Sequence, residues 1–456
     1  MYLPEKRPIF LKNRHATNPY RALFWVVLVL FLLFVLRGYT HGEVQPLFMP
    51  SPTPTRTSNS FAQEGEMQFA AGSLDAAIAA YQQGTEVDPT NIEMWANLAR
   101  IQTYSTTLLT TDTERDARFE EAMASANQAV AVDAESSTAH AVLAFVLDWY
   151  ATSGTLDATA ATDMLSEAEQ EAVMAIQLDT QNTMALVFYA EILVDELQLA
   201  QAEQYIQQAL ERAPDMMDVH RVNAYLLESE MDYNGAIEEY QRALEITPNL
   251  TFLLLRLGAN YRQLAQNETS ESTQTNLYEQ ALTYFAEAAR INEQLGVLDP
   301  VPYVSIARTY SQMGEFYAAS LNMMQALQFN PNSPDLYGQL GIVYFKARNY
   351  EGSIPALRCA VSGCDATVSC EVRQCDEEVD EAITITGMPL SSNTVVYYYT
   401  LGSALAGMHG PANPDFCEEA MVILGQVREA FSTDTIIMGI VTPSENICIG
   451  YGYTRP

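Results

Sequence analysis

Small and apolar residues recur along this chain at helical spacing, grouped in two-helix blocks that repeat at a nearly constant distance. Residues 232–249, DYNGAIEEYQRALEITPN, show the pattern most clearly. Pro214 ends one block and Pro248 ends the next, 34 residues later. Between them, small residues stand at Ala224, Ala236 and Ala243, with Tyr240 among them. The same ladder returns at Ala307, Ala319 and Ala326, closed by Pro331, and earlier at Gly65, Ala77 and Gly84, closed by Pro89. A period in the thirties with two amphipathic helices per unit predicts a solenoid. One such unit cannot bury its apolar face alone, so neighbours must stack.

Nine helix pairs can be drawn from residue 58 onward. Extra residues around 110–118, 153–162 and 267–275 fall within units, where a turn between the two helices lengthens at modest entropic cost. The region 58–364 accommodates about eight units. A cysteine-containing insertion, 365–390, follows, with a short hairpin expected from Thr367, Val368 and the run Ile383–Ile385. A ninth pair is expected in 391–432. The end, 433–456, lacks helical period and is expected to fold back as a cap.

Trp95, Leu98 and Ala99 in one unit resemble the tetratricopeptide repeat pattern. So do Tyr337, Leu340, Gly341, Tyr344, Tyr350 and Ala360 in another. The resemblance implies an all-α, right-handed helix-pair solenoid whose first helices line a concave groove. It places Arg100, Arg221, Tyr225, Arg262, Arg308, Phe345 and Lys346 on that groove, so that arginine and aromatic side chains would face a protein or peptide partner there. Arginine forks pair well with carboxylates. The alternative is that these arginines pair with Asp or Glu of the adjacent helix. The lysines and asparagines with which some members of the family clamp chaperone tails are missing.

The amino-terminal part departs from this pattern. Lys6, Arg7, Lys12, Arg14 and Arg21 make 1–21 a basic segment, and an uncharged apolar run over 22–36 predicts a transmembrane anchor over 22–39. Positive flanks stay cytoplasmic, so everything after the anchor is expected outside as a single-pass topology. A cleaved secretory signal is the competing reading, although Arg37 follows the run directly. Residues 40–57, with Pro46, Pro50, Pro52 and Pro54, read as an extended linker.

Net charge is −34, and beyond residue 40 the only lysine is Lys346. That balance predicts no nucleic acid partner and no adsorption to anionic lipid. Six cysteines, an even count, suggest disulfides in an exported segment. Cys364, Cys370 and Cys375 offer close pairs, and Cys417 can pair with Cys448. No metal is expected, because no CxxC or neighbouring histidine is present. The acidic run at Asp376, Glu377, Glu378, Asp380 and Glu381 reads as a solvated loop. No phosphate loop and no nucleophile pairing marks an enzyme, and no cofactor is expected. Asn249 and Asn267 each begin an N-x-T sequon. The sequence therefore predicts an anchored, extracytoplasmic scaffold for protein–protein interaction or assembly of an envelope complex. The alternative is a self-associating structural component of the cell surface.

Overall fold

The computed structural model describes residues 18–40, 56–376 and 381–455. The basic residues before Asn18, residues 41–55 of the expected linker, and Glu377, Glu378 and Asp380 lie outside them. The described chain divides into two units, residues 1–56 and 57–456. The first contains one helix, α1 (Pro19–Thr40), without a charge between Arg21 and Arg37. By length and composition it can cross a membrane, a test that a signal sequence near the amino terminus also passes.

The second unit is all helical apart from isolated bridges among the described residues. Its pairs are α2 (Ser58–Ala70) with α3 (Leu74–Val87), and α4 (Ile92–Ser105) with α5 (Asp112–Val132). Next come α6 (Ser137–Thr152) with α7 (Ala158–Leu178), α8 (Thr183–Asp195) with α9 (Leu199–Arg212), and α10 (Met217–Ser229) with α11 (Tyr233–Ile246). Then follow α12 (Thr251–Asn267) with α13 (Glu271–Leu295), α14 (Val301–Met313) with α15 (Phe316–Phe329), and α16 (Pro334–Lys346) with α17 (Tyr350–Val361). The short α18 (Ala366–Arg373) precedes α19 (Val395–Met408), α20 (Phe416–Phe431) and α21 (Thr435–Gly450).

Side-chain caps start many of these helices. Asn91 accepts from the Met94 amide, Ser136 from Ala139, Asn182 from Met184 and Ala185, and Asp232 from Gly235. The small-residue ladder lies at the closest crossings. Ala77, Ala224, Ala236, Ala243, Ala307, Ala319 and Ala326 are fully buried. A Cβ at Gly65 would stand 2.4 Å from the Tyr81 ring, and one at Gly258 would stand 2.6 Å from Phe285. Large side chains therefore fill the space the small ones vacate.

Three features differ from expectation. The extra residues near 110–118, 153–162 and 267–275 mostly extend the second helices, giving α5 and α7 21 residues each and α13 25. Thr111 and Asp157 cap the earlier starting points of α5 and α7. The end of the chain is a helix, α21, rather than an irregular tail. Pro443 lies inside α21, and Val441, Ser444, Glu445 and Cys448 turn inward. The expected hairpin is a single bridge, Cys364 to Ile385, because Thr367 and Val368 belong to α18, which Asp365 caps.

All six cysteines are paired. Cys359, absent from the expected pairs, joins Cys364, while Cys370 joins Cys375 and Cys417 joins Cys448. Their Cα atoms are 4.7, 5.0 and 5.3 Å apart, within the usual range. Cys359 is reached because the chain turns back at Gly363, whose φ of +81° favours glycine.

Candidate functional site

The first helices of successive pairs converge on an aromatic and ionic cluster. Tyr104 on α4 is fully buried, with ring centroids 5.3 Å from Phe145, 5.3 Å from Trp149 and 5.2 Å from Phe252. Its hydroxyl donates to Asp218 and accepts from Arg221 Nε at 3.1 Å. Arg221 also grips Glu191 with two donors, at 2.5 and 2.7 Å. Trp149 Nε1 donates to the same carboxylate at 2.9 Å. Arg100 lies 5.0 Å over the Phe69 ring and 3.3 Å from Asp218. Thus Arg100 and Arg221, both expected to face a partner, are occupied by carboxylates of neighbouring helices.

Beside this cluster lies a cavity of about 460 Å³, with Trp149, Asp195, Tyr225, Phe252 and Arg256 in its wall. Tyr225 donates to Asp195 at 2.5 Å, and Arg256 lies 5.1 Å over the Tyr225 ring. Arg256 pairs with Glu228 at 3.2 Å. Burial raises the Asp195 carboxyl to about 6, against the Tyr225 hydrogen bond, with the Glu191 charge adding to the rise. Burial also pushes Asp148 well above the carboxylate range, helped by the neighbouring Asp195 and Glu191 charges.

Further along, Arg262 lies 5.5 Å over the Phe285 ring and donates to the Ser305 carbonyl at 3.4 Å. Burial, and then the charge of Arg308, hold its guanidinium below the usual value. Arg308, one turn beyond Ser305 on α14, is exposed and donates to Gln339 at 3.1 Å. Neither arginine pairs with a carboxylate among the described residues. Phe345 packs on Tyr350, with centroids 5.4 Å apart, and contributes to the core around α19 and α20. Lys346 is exposed at the end of α16.

None of Asp148, Trp149, Glu191, Asp195, Phe252 or Arg256 stands at a repeat position that the sequence pattern marks as a site. One signal was available. Asp148 and Glu191 interrupt otherwise apolar helices, AHAVLAFVLDWYA and MALVFYAEILVD, where a charge requires a reason.

This architecture defines a repeat protein of helix pairs. Tetratricopeptide repeat models match residues 190–250 and 302–333. Human protein IFIT1 homolog B is 23% identical over 228 residues, covering 48% of this chain and 46% of the relative, so the chain spans about half the length of that curated relative. The human IFIT1 dimer with m7Gppp-AAAA has a TM-score of 0.52 at 15% identity, covering 85% of this chain and 81% of that one. A monomeric IFIT1 mutant with Gppp-AAAA scores 0.52 at 16% identity, covering 86% and 80%. At these identities the likeness shows the fold alone. The expectation of no nucleic acid partner is nevertheless corrected: solenoids of this fold are solved with capped RNA, and the net charge of a whole chain does not describe the charge of one local surface.

Proposed function

We propose that this chain is a membrane-anchored scaffold whose repeat array grips an acidic segment of a protein partner. Tetratricopeptide proteins are generally non-enzymatic interaction scaffolds. The observation that carries the reading is the pair Arg262 and Arg308. The pair lies on the first helices of adjacent repeats, like charges near each other; Asp335 is linked to Arg308 only through Gln339 and is already held by Tyr397. Bringing two guanidinium groups together without a counter-ion is costly, and an arriving carboxylate removes that cost while accepting forked hydrogen bonds. The helix Pro19–Thr40 would hold the array at a membrane, with the repeats on the extracytoplasmic side.

Crosslinking and recovery from membranes tests this. Arg308→Glu, exposed and outside the core, is expected to cut recovery of the partner about tenfold or more. Unchanged recovery would sink the assignment. A second reading follows from the RNA held by the IFIT1 structures: phosphate would take the same two arginines. Titration with 5′-triphosphate RNA, weakening steeply with salt and with Arg308→Glu, would favour RNA over an acidic peptide.

A further inference from the structure

The cavity beside Trp149 belongs to a different kind of ligand. Its surrounding charges can be matched one to one. Arg221 holds Glu191, Arg100 holds Asp218, and Arg256 holds Glu228. Arg115, also in the cavity wall, pairs with Asp112. Two carboxylates are left over, Asp148 on α6 and Asp195 on α8. Asp148 is 1% exposed, and neither of its carboxylate oxygens has a hydrogen-bond partner. Asp195 stands beside it within hydrogen-bonding reach, lines the cavity and receives the Tyr225 hydroxyl.

Buried polar groups without donors are rare, and a buried charge without a partner is costly. Two adjacent carboxyls can share one proton, which satisfies part of the need. A ligand that brings several N–H donors and a positive charge would satisfy the rest. The aromatic walls, Trp149, Tyr225 and Phe252, suit the alkyl stem of such a ligand, and the cavity volume matches a small molecule or one long side chain.

We infer that this cavity binds an organic cation, an ammonium or guanidinium group, on Asp195, the member of the Asp148–Asp195 carboxyl pair that stands in the cavity wall, with Asp148 buried behind it. Binding displaces the shared proton, so uptake of the cation is coupled to proton release. The groups facing the pair are Glu191 on α8, Arg221 and Tyr225 on α10 and Arg256 on α12. Both arginines among them are already held by carboxylates. The inference is independent of the Arg262–Arg308 reading and can fail without it.

The test is calorimetric titration of the full chain in an uncharged detergent, near pH 8 and near pH 5. Agmatine and spermidine probe free amines, and a short peptide with one arginine probes a side chain. The expected result is binding near pH 8 with proton release, seen as an enthalpy that varies with buffer ionisation. Binding should weaken about tenfold or more near pH 5, where Asp195, raised to about 6 by burial, takes up a second proton and the pair becomes neutral. Asp195→Asn should weaken it by a similar factor. Preference for the peptide would identify a partner's side chain as the source, and preference for the amines a free metabolite. No binding by any probe near pH 8 would overturn the inference. So would binding without proton release, a readout taken on the unaltered protein.

Discussion

At single positions, backbone space and buried charge decide what this chain tolerates. Gly258 and Gly84 look alike in sequence but differ in their neighbours. A Cβ at Gly258 would meet the rigid ring of the fully buried Phe285, whereas one at Gly84 would meet the terminal methyl of the unbranched Met94 side chain, which can turn about its own torsions. Gly258→Ala is therefore expected to cost about 1–3 kcal/mol in denaturant unfolding, and Gly84→Ala much less. Leu197 and Met231, 34 residues apart, occupy the same turn between paired helices at φ of 61° and 64°, and both side chains are exposed. Replacing either by glycine should stabilise the protein by about 1 kcal/mol. Arg221→Leu should be the most damaging of these changes, at about 3–5 kcal/mol, because Glu191 would remain buried without its counter-charge.

At the scale of elements, a recurring clip ties the first helix of a pair to the second. His140 Nδ1 meets Glu171 at 2.5 Å and Nε2 meets the Ala134 carbonyl at 3.0 Å. His220 does the same with Glu239 and the Pro214 carbonyl, both at 2.6 Å. Two acceptors facing the His220 ring favour its doubly protonated form. The Glu239 hydrogen bond leads the upward shift of His220, with burial opposing it. Glu239 is lowered by its hydrogen bonds to His220 and Asn223, against its burial. Because the folded His220 value is raised, its stabilisation is complete below the unfolded value of about 6.5 and is lost as pH rises through the folded one. The Glu239 contribution has the opposite sign: it is present above about 4.3 and is lost as pH falls through the folded value. The melting difference between the native protein and His220→Asn should thus be largest near pH 6 and shrink toward pH 9. A second element-scale prediction concerns Cys417–Cys448, which ties α20 to α21 across 31 residues. Cys448→Ala should cost about 3 kcal/mol and make α21 the first segment released to protease.

The helix-pair pattern was legible because the ladder of alanines and glycines is a local property, repeated within each unit. Ala224, Ala236 and Ala243 announce a crossing without any knowledge of the neighbours. The helical nature of α21 was not legible, since Gly439, Pro443 and Gly450 disguise its period, and burial against α19 and α20 overrides that composition. Nor was the cavity. Tyr104 meets Asp218 across 114 positions, and no periodicity within a unit reports which side chains a later turn brings opposite. The arginines at the expected first-helix places were legible as residues, but their availability was not. Whether Arg221 is spent on Glu191 while Arg308 is open depends on the adjacent helix.

For the whole molecule, the array is more than a row of neighbours. Phe252 on α12 stacks on Tyr104 of α4, and the Gly72 turn abuts the Asn249 carbonyl, where a Cβ would stand 2.4 Å away. One hydrophobic core runs from Phe61 to Leu257. Phe252→Ala is expected to cost about 3–5 kcal/mol and to loosen amides in α4 and α6 as well as α12, a pattern that hydrogen exchange would resolve. Exchange confined to α12 and its direct neighbours would mark the contact as incidental.

The abutment of Gly72 on Asn249 also limits how the chain can be dissected. Arrays whose units touch only their neighbours can be trimmed from either end, one unit at a time. Here a cut just before Thr251 would strip the lid from Tyr104 and Trp149, while a cut after Val87 would leave Asn249 facing water. Residues 57–295, which include the α13 partner of α12, are expected to behave as one indivisible piece, and shorter fragments should be recovered as sticky, poorly folded material.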